Sequence, residues 1–377
     1  MKLDSRYPSF AYLSKKAKAR VPHFAWEYLD SGTGLEELVS RNMQKMDEIR
    51  LTPTVLMGSF EPDTRATLFG TEYSVPFGAA PVGMSSLIWP GAELALARAA
   101  ASRRMPYVLS TMANETPEKI GEIAGDAAWF QLYPPKNDEV RSDILRRVRN
   151  AGMKTLVLTV DTPVGSRRER QLRAGLTVPA SLSLAMLRDI AVRPNWALAT
   201  LKNRAPRFKV IEKYYPASST AKGAAAVGQV IGGRPLWEDV ARLRDEWGGT
   251  LVLKGILDPA DASRAVEAGA DGIVVSNHGG RQIDAAPASI EALPAIAAEV
   301  KGRIPILFDS GLRGGLDILR ALSLGADFCF LGRGFLFSIA ALGERGAVHA
   351  YEILKTDLAN NMAQLGVRNL AEVSRTT

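Results

Sequence analysis

The chain has 377 residues, 46% hydrophobic and 23% charged, with 47 Lys and Arg against 40 Asp and Glu for a net charge of +7. This composition excludes a disordered or fibrous protein and implies a soluble one with a large core. The basic excess is spread along the chain, which suits an anionic ligand or membrane surface and argues against nucleic acid as the main partner.

Residues 1–76 read as an extension of helices followed by a small β element around Ala66–Phe69. Residues 1–20 mix acidic and basic groups without an apolar core, so no signal peptide is expected. No run approaches the roughly 18 apolar residues of a spanning helix. A cytoplasmic protein is expected, with peripheral contact to the inner face of the cell membrane left open.

Short apolar runs then predict strands at Phe77–Ala80, Tyr107–Leu109, Trp129–Leu132, Thr155–Val160, Leu251–Lys254, Gly272–Val275, Ile306–Asp309 and Phe328–Leu331. Ala-, Leu- and Arg-rich helical stretches separate them, for example Ala92–Ser102, Asp261–Ala268 and Leu316–Leu324. Strand–helix alternation implies parallel strands joined by right-handed crossovers. Eight such units predict a single α/β domain over 1–377, a (β/α)8 TIM barrel whose active site lies at the C-terminal strand ends.

One long insertion, residues 171–235, follows the fourth strand. It mixes Leu182, Leu184, Met186, Leu187, Ile190, Trp196, Leu198 and Leu201 with Arg188, Arg193, Lys202, Arg204 and Arg207. It reads either as a lid or subunit contact, or as an interfacial segment lying on a membrane. The single cysteine, Cys329, sits in the apolar eighth strand and reads as a core residue, which excludes an internal disulfide or a cysteine-based metal cluster. No metal ligands are assigned.

The densest chemistry follows the sixth strand, in Ser276-Asn277-His278-Gly279-Gly280-Arg281-Gln282. His titrates near neutrality and can take a proton from carbon or oxygen, while Arg offers a planar fork to a carboxylate. Paired glycines let the backbone turn sharply and approach a ligand. After the fourth strand, Asp161 is placed to orient a histidine. The run Arg167-Arg168-Glu169-Arg170 offers a second clamp from one of its arginines, while taken alone it reads as a solvated basic patch. Asp309-Ser310-Gly311-Leu312-Arg313-Gly314-Gly315 and Leu331-Gly332-Arg333-Gly334 close strands seven and eight, where barrels commonly bind phosphate through backbone N–H groups.

With Tyr28-Leu29-Asp30-Ser31-Gly32, Ala80-Pro81-Val82-Gly83, Leu109-Ser110-Thr111, Phe130-Gln131-Leu132-Tyr133, Thr159-Val160-Asp161 and Val252-Leu253-Lys254-Gly255 in the same order, the chain resembles the FMN-dependent L-2-hydroxy-acid oxidases and dehydrogenases over roughly residues 8–370. That family includes glycolate oxidase, lactate oxidase, lactate monooxygenase, respiratory L-lactate dehydrogenase and mandelate dehydrogenase. The resemblance implies FMN as cofactor and His278 as the proton acceptor, with Asp161 orienting it. It implies that Arg281 and Arg168 clamp the substrate carboxylate, helped by Tyr28, and that Tyr133 bonds the hydroxyl. Lys254 would sit at the N1–C2=O edge of the flavin, where a cation favours the reduced ring. Ser110, Gln131, Thr159 and the backbone of Pro81, Val82 and Gly83 would hold the ring, with Ser276 close by. Asp309 would bind the ribityl chain, and Gly311, Arg313, Gly332 and Arg333 the phosphate.

By the same resemblance, Gly83 stands where oxidases usually carry Ala, and the run 191–197 is similar to the membrane loop of mandelate and respiratory lactate dehydrogenases. A dehydrogenase passing electrons to a quinone or other acceptor is therefore expected, with an O2-using oxidase or monooxygenase as the alternative. Met112 replaces the Trp of glycolate oxidases, which implies a roomier pocket for lactate-, mandelate- or longer aliphatic acids. A homotetramer is implied by resemblance alone. A non-catalytic flavin-binding barrel would not need Tyr28, Tyr133, Asp161, His278 and Arg281 together.

Overall fold

Strand side chains alternate between two faces, so residues two apart share one face. The computed structural model describes residues 3–175, 183–203, 206–215 and 224–376. Eight parallel strands close into a barrel: β1 (Phe77–Ala79), β2 (Tyr107–Ser110), β3 (Ala128–Leu132), β4 (Thr155–Thr159), β5 (Thr250–Ile256), β6 (Gly272–Val275), β7 (Ile306–Phe308) and β8 (Phe328–Leu331). Strand β8 pairs with β1, Cys329 opposite Phe77, and this seam completes the ring. The expected strands are all present, with ends shifted by at most two residues. Local signals start the intervening helices. Asp258 accepts from the Ala260 N–H at 2.7 Å and Pro259 takes the first position of Pro259–Glu267.

Val108, Trp129, Val157, Val252, Val274 and Leu307 form a buried apolar layer inside the barrel, with Phe328 and Phe330. Burying each such side chain stabilises the fold by about 1.5–3 kcal/mol. Two positions further along stand Ser110, Gln131, Thr159, Lys254, Ser276 and Asp309, all buried. The same parity makes them the next layer up, toward the C-terminal strand ends. At the opposite end a hairpin, Ala66–Leu68 with Thr71–Tyr73, plugs the barrel. Phe69 at its turn packs on Trp129 with centroids 5.8 Å apart, and Tyr73 on Phe328 at 5.7 Å.

The extension supplies helices Phe10–Arg20, His23–Asp30 and Glu37–Glu48. The first packs so closely on helix Arg333–Leu342 that a Cβ at Gly334 would come within 2.5 Å of the Phe10 ring. In the insertion, helices Leu184–Ala191 and Pro194–Asn203 are anchored by Trp196. Its indole N–H donates to the carbonyls of Leu87 at 3.3 Å and Ile88 at 3.1 Å, and its ring meets Phe24 edge-on at 5.8 Å. The expected apolar face is thereby divided. Met186 and Trp196 are buried against the barrel, whereas Leu184, Leu198 and Leu201 are 86%, 65% and 78% exposed. Leu182 and Arg204 lie outside the described residues. No described helix is long and apolar enough to cross a membrane.

Candidate active site

The polar layer forms the floor of a cavity of about 440 Å³ at the C-terminal face. Gln131, Thr159 and Lys254 line the floor, and Pro81, Val82 and Gly83 form one wall. Ser110 lies behind, donating from Oγ to Gln131 Oε1 at 2.9 Å, while Gln131 Nε2 donates to Thr159 Oγ1 at 2.9 Å. Lys254 Nζ is 2.7 Å from Ser276 Oγ and 3.0 Å from Asp309 Oδ2. Burial alone would lower the Lys254 pKa, but the charges of Asp309 and Asp161 outweigh it and hold the value above ordinary. The ammonium therefore stays charged in the floor.

The loop after β6 turns through three consecutive left-handed residues, His278, Gly279 and Gly280, with φ of 59°, 68° and 73°. Glycine adopts such angles freely, so the strain is confined to His278. Asn277 braces the loop through paired amide hydrogen bonds with Asn42, at 2.6 and 3.0 Å, and its backbone N–H donates to Ser289 Oγ at 3.0 Å. His278 Nδ1 then lies 3.0 Å from Asp161 Oδ1, and Nε2 lies 3.5 Å from the Tyr133 hydroxyl. A carboxylate facing Nδ1 keeps the proton there and leaves Nε2 to accept another. Burial raises the Asp161 carboxyl, but His278 and then Lys254 pull it below its ordinary value, so it stays ionised. Burial and the Asp161 charge push the Tyr133 phenol well up, so it stays a donor. Its backbone N–H donates to Thr111 Oγ1 at 3.0 Å. Tyr28 donates to the Gly83 carbonyl at 2.8 Å, beneath the Arg281 guanidinium at 5.4 Å from its ring.

Three guanidiniums crowd together in the cavity, and a fourth, Arg313, stands at its rim. Arg281 donates to the carbonyls of Tyr28, Ser31 and Leu29 at 2.8, 3.2 and 3.3 Å. Arg333 donates to Gly279, Ser31 and Leu29 at 2.9, 3.0 and 3.2 Å, and Arg168 to Ser166 Oγ at 3.2 Å. Burial, then the neighbouring Arg168 and Arg333, push the Arg281 pKa down to about 9. Crowded cations bonded to carbonyls and a hydroxyl rather than to carboxylates mark a place for anions.

Gly311, Gly332 and Arg333 also line the cavity, the last two at the start of helix Arg333–Leu342, whose first N–H groups have no partner within the helix. Arg313 stands at the rim, but its guanidinium is already gripped by Asp47 at 2.6 and 3.0 Å and by Asp317 at 3.0 Å. Arg167 faces solvent, as a surface charge does.

Sequence reasoning missed several supports. Arg170 reaches Glu27, Asp30 and Glu36 at 2.5, 2.8 and 2.9 Å and so ties the segment carrying Arg168 to the helix carrying Tyr28. Gly255 occupies a bulge in β5 at φ 109°, and a Cβ there would lie 2.5 Å from both Cβ and Cγ of Asp161. An isolated glycine inside a strand pattern was the available signal.

Residues 17–377 match the FMN-dependent dehydrogenase family. An L-lactate dehydrogenase of Vibrio cholerae serotype O1 is 37% identical over 361 residues, 95% of each chain. A solved monotopic membrane protein, (S)-mandelate dehydrogenase, superposes with a TM-score of 0.91 at 33% identity, covering 97% of both chains. A mandelate oxidase structure superposes at 0.83 with 32% identity, covering 98% of both. The cavity suits FMN on its own chemistry. Amide, hydroxyl and ammonium groups line a buried floor for a heteroaromatic ring, and guanidiniums beside a helix N-terminus offer a seat for phosphate.

Proposed function

The chain belongs to the FMN-dependent dehydrogenase family, and from that premise we propose that it oxidises a small L-2-hydroxy acid to the 2-keto acid. The observation that carries this reading is the His278–Asp161 pair facing a cavity shared with Arg168 and Arg281. Gln131, Thr159, Lys254 and the Pro81–Gly83 backbone would hold the ring, with Ser110 and Ser276 supporting Gln131 and Lys254. Asp309 would take the ribityl chain, and Gly311, Gly332, Arg333 and the rim at Arg313 the phosphate. When bound, FMN supplies the two-electron acceptor.

The protein's own part is binding and proton transfer. Arg281 and Arg168 hold the carboxylate, which relieves their mutual repulsion, and Tyr28 adds a hydrogen bond. Tyr133 bonds the hydroxyl. His278 Nε2 takes a proton, from Cα in a carbanion route or from oxygen in a hydride route, and Asp161 stabilises the imidazolium formed. The test is anaerobic stopped-flow absorbance of the yellow protein mixed with L-lactate, L-mandelate, glycolate or a longer 2-hydroxy acid. Bleaching by one of them supports the reaction and ranks substrates, whereas a bound flavin that none bleaches overturns it.

Arg281→Lys is expected to raise KM roughly 10- to 100-fold and to lower kcat less, since Lys cannot reproduce the fork. An unchanged KM would remove Arg281 from the carboxylate clamp.

A quinone or another non-oxygen acceptor is favoured by Gly83. A Cβ there would meet Met112 Cβ at 2.8 Å, so this wall is built around the absence of a methyl group. The mandelate oxidase likeness favours the alternative, oxygen, and slow recolouring in air after bleaching would separate the two. Peripheral membrane contact is supported by the exposed Leu184, Leu198 and Leu201 and by the monotopic relative. Leu198→Ser with Leu201→Ser is expected to shift the protein from the membrane pellet to the supernatant; an unchanged distribution would count against this contact. The homotetramer is part of the same reading, checked by light scattering.

A further inference from the structure

We propose that a second, smaller cavity, on the flank of the barrel, binds the phosphate of an anionic phospholipid headgroup; this rests on the membrane reading above. The cavity measures about 180 Å³ and lies between helix Phe10–Arg20 and the turn that joins Leu184–Ala191 to Pro194–Asn203. Lys16, Arg20, Arg193 and Asn195 supply its polar side chains, and among the described residues no acidic side chain lines it.

Arg20 is fixed in place. Its guanidinium lies 4.0 Å over the Trp89 ring and donates to the Ala341 carbonyl at 2.6 Å. Burial holds its pKa below the ordinary value, against a smaller opposing pull from the Tyr7 phenol. Arg193 donates to the carbonyls of Val21 and Val192, both at 3.3 Å. Lys16 makes no ion pair or hydrogen bond among the described residues. Three cations are thus gathered around one small space without a neutralising group, and an anion there relieves their repulsion. The volume admits a phosphate group and is less than half that of the main cavity.

The location selects the source of the phosphate. Arg193 sits on the turn, and Asn195 in the first turn of the second helix, of the same helix pair that exposes Leu184, Leu187, Leu198 and Leu201, and Val192 beside Arg193 is 59% exposed. Apolar side chains that enter the acyl boundary leave adjacent cations at the level of the headgroups. A soluble phosphate would fit the same cations, so the two sources are separated by experiment.

The FMN-loaded enzyme would be titrated calorimetrically with monomeric dihexanoyl-phosphatidylglycerol and with inorganic phosphate, and sedimented with phosphatidylglycerol or phosphatidylcholine vesicles. The expected result is one saturable lipid site that inorganic phosphate occupies more weakly. Lys16→Gln and Arg193→Gln should each weaken it about fivefold, and together about 25-fold, with a parallel loss of sedimentation on phosphatidylglycerol. Lys202→Gln, on the exposed face of the same helix pair, should leave the calorimetric site intact. Lipid binding by both cavity variants equal to that of the parent overturns the proposal. So does inorganic phosphate binding as tightly as the lipid while the variants sediment like the parent. A parent protein that sediments with neither vesicle overturns the membrane reading itself. One that sediments equally well without Lys16 and Arg193 overturns this site alone.

Discussion

His278→Ala is expected to leave the flavin bound and to slow its anaerobic reduction by a 2-hydroxy acid on the order of 1,000- to 10,000-fold. The reason is positional. Nε2 of His278 is the ring nitrogen turned toward the cavity and Tyr133, while Nδ1 is occupied by Asp161 at 3.0 Å. Alanine removes the proton acceptor without touching the floor, where Gln131, Thr159 and Lys254 keep their partners. Flavin content and its visible spectrum should therefore be unchanged. Position 278 has φ 59°, a strain that the parental histidine already bears, so alanine adds little to it and Tm should change little. Reduction at the parental rate would show that another group takes the proton.

Gly255→Ala is expected to act on the same proton transfer from a residue that never meets substrate. The added methyl would fall 2.5 Å from Asp161 Cβ and Cγ, on a backbone at φ 109°. Left-handed strain and overpacking together should cost about 2–5 kcal/mol of stability. Asp161 must swing away to make room, and His278 loses the carboxylate that selects its tautomer. Reduction of the flavin should fall on the order of 1,000-fold, toward the loss seen when an orienting carboxylate is removed. The decisive comparison is a cycle with Asp161→Asn. If Gly255 acts through Asp161, the double variant should be little slower than Asp161→Asn alone, because both changes remove one interaction. A destabilised protein with a parental rate would reduce Gly255 to a structural role.

The alternating strand pattern and the glycine turns were legible in the sequence because both are local. Parity alone lifts Ser110, Gln131, Thr159 and Lys254 one layer above Val108, Trp129, Val157 and Val252. The roles assigned to the site residues came from resemblance to a family, and the structure adds the distances at which those residues meet. Contacts between distant segments escaped, such as the Asn42–Asn277 pair separated by 235 positions. The exposure of the insertion also escaped. Leu184, Met186, Trp196 and Leu198 are equally apolar on paper, and only the docking of Trp196 on Leu87 and Ile88 decides which face is covered. Arg313 shows the reverse, a motif residue whose charge is taken up by Asp47 and Asp317.

The seam between β1 and β8 bears on how the chain is made. Phe77 and Cys329 are about 250 residues apart, so the first strand waits for its second neighbour through most of translation. Until then the nascent sheet has two open edges, and helix Phe10–Arg20 lacks the helix Arg333–Leu342 on which Phe10 rests. A chain ending at Gly325, without β8 and the helices C-terminal to it, is expected to emerge insoluble or chaperone-bound, and its recovery as a soluble monomer would refute this. Closure of the ring is thus a late, long-range event, and the ribosome must release nearly the whole chain before the cofactor's seat exists.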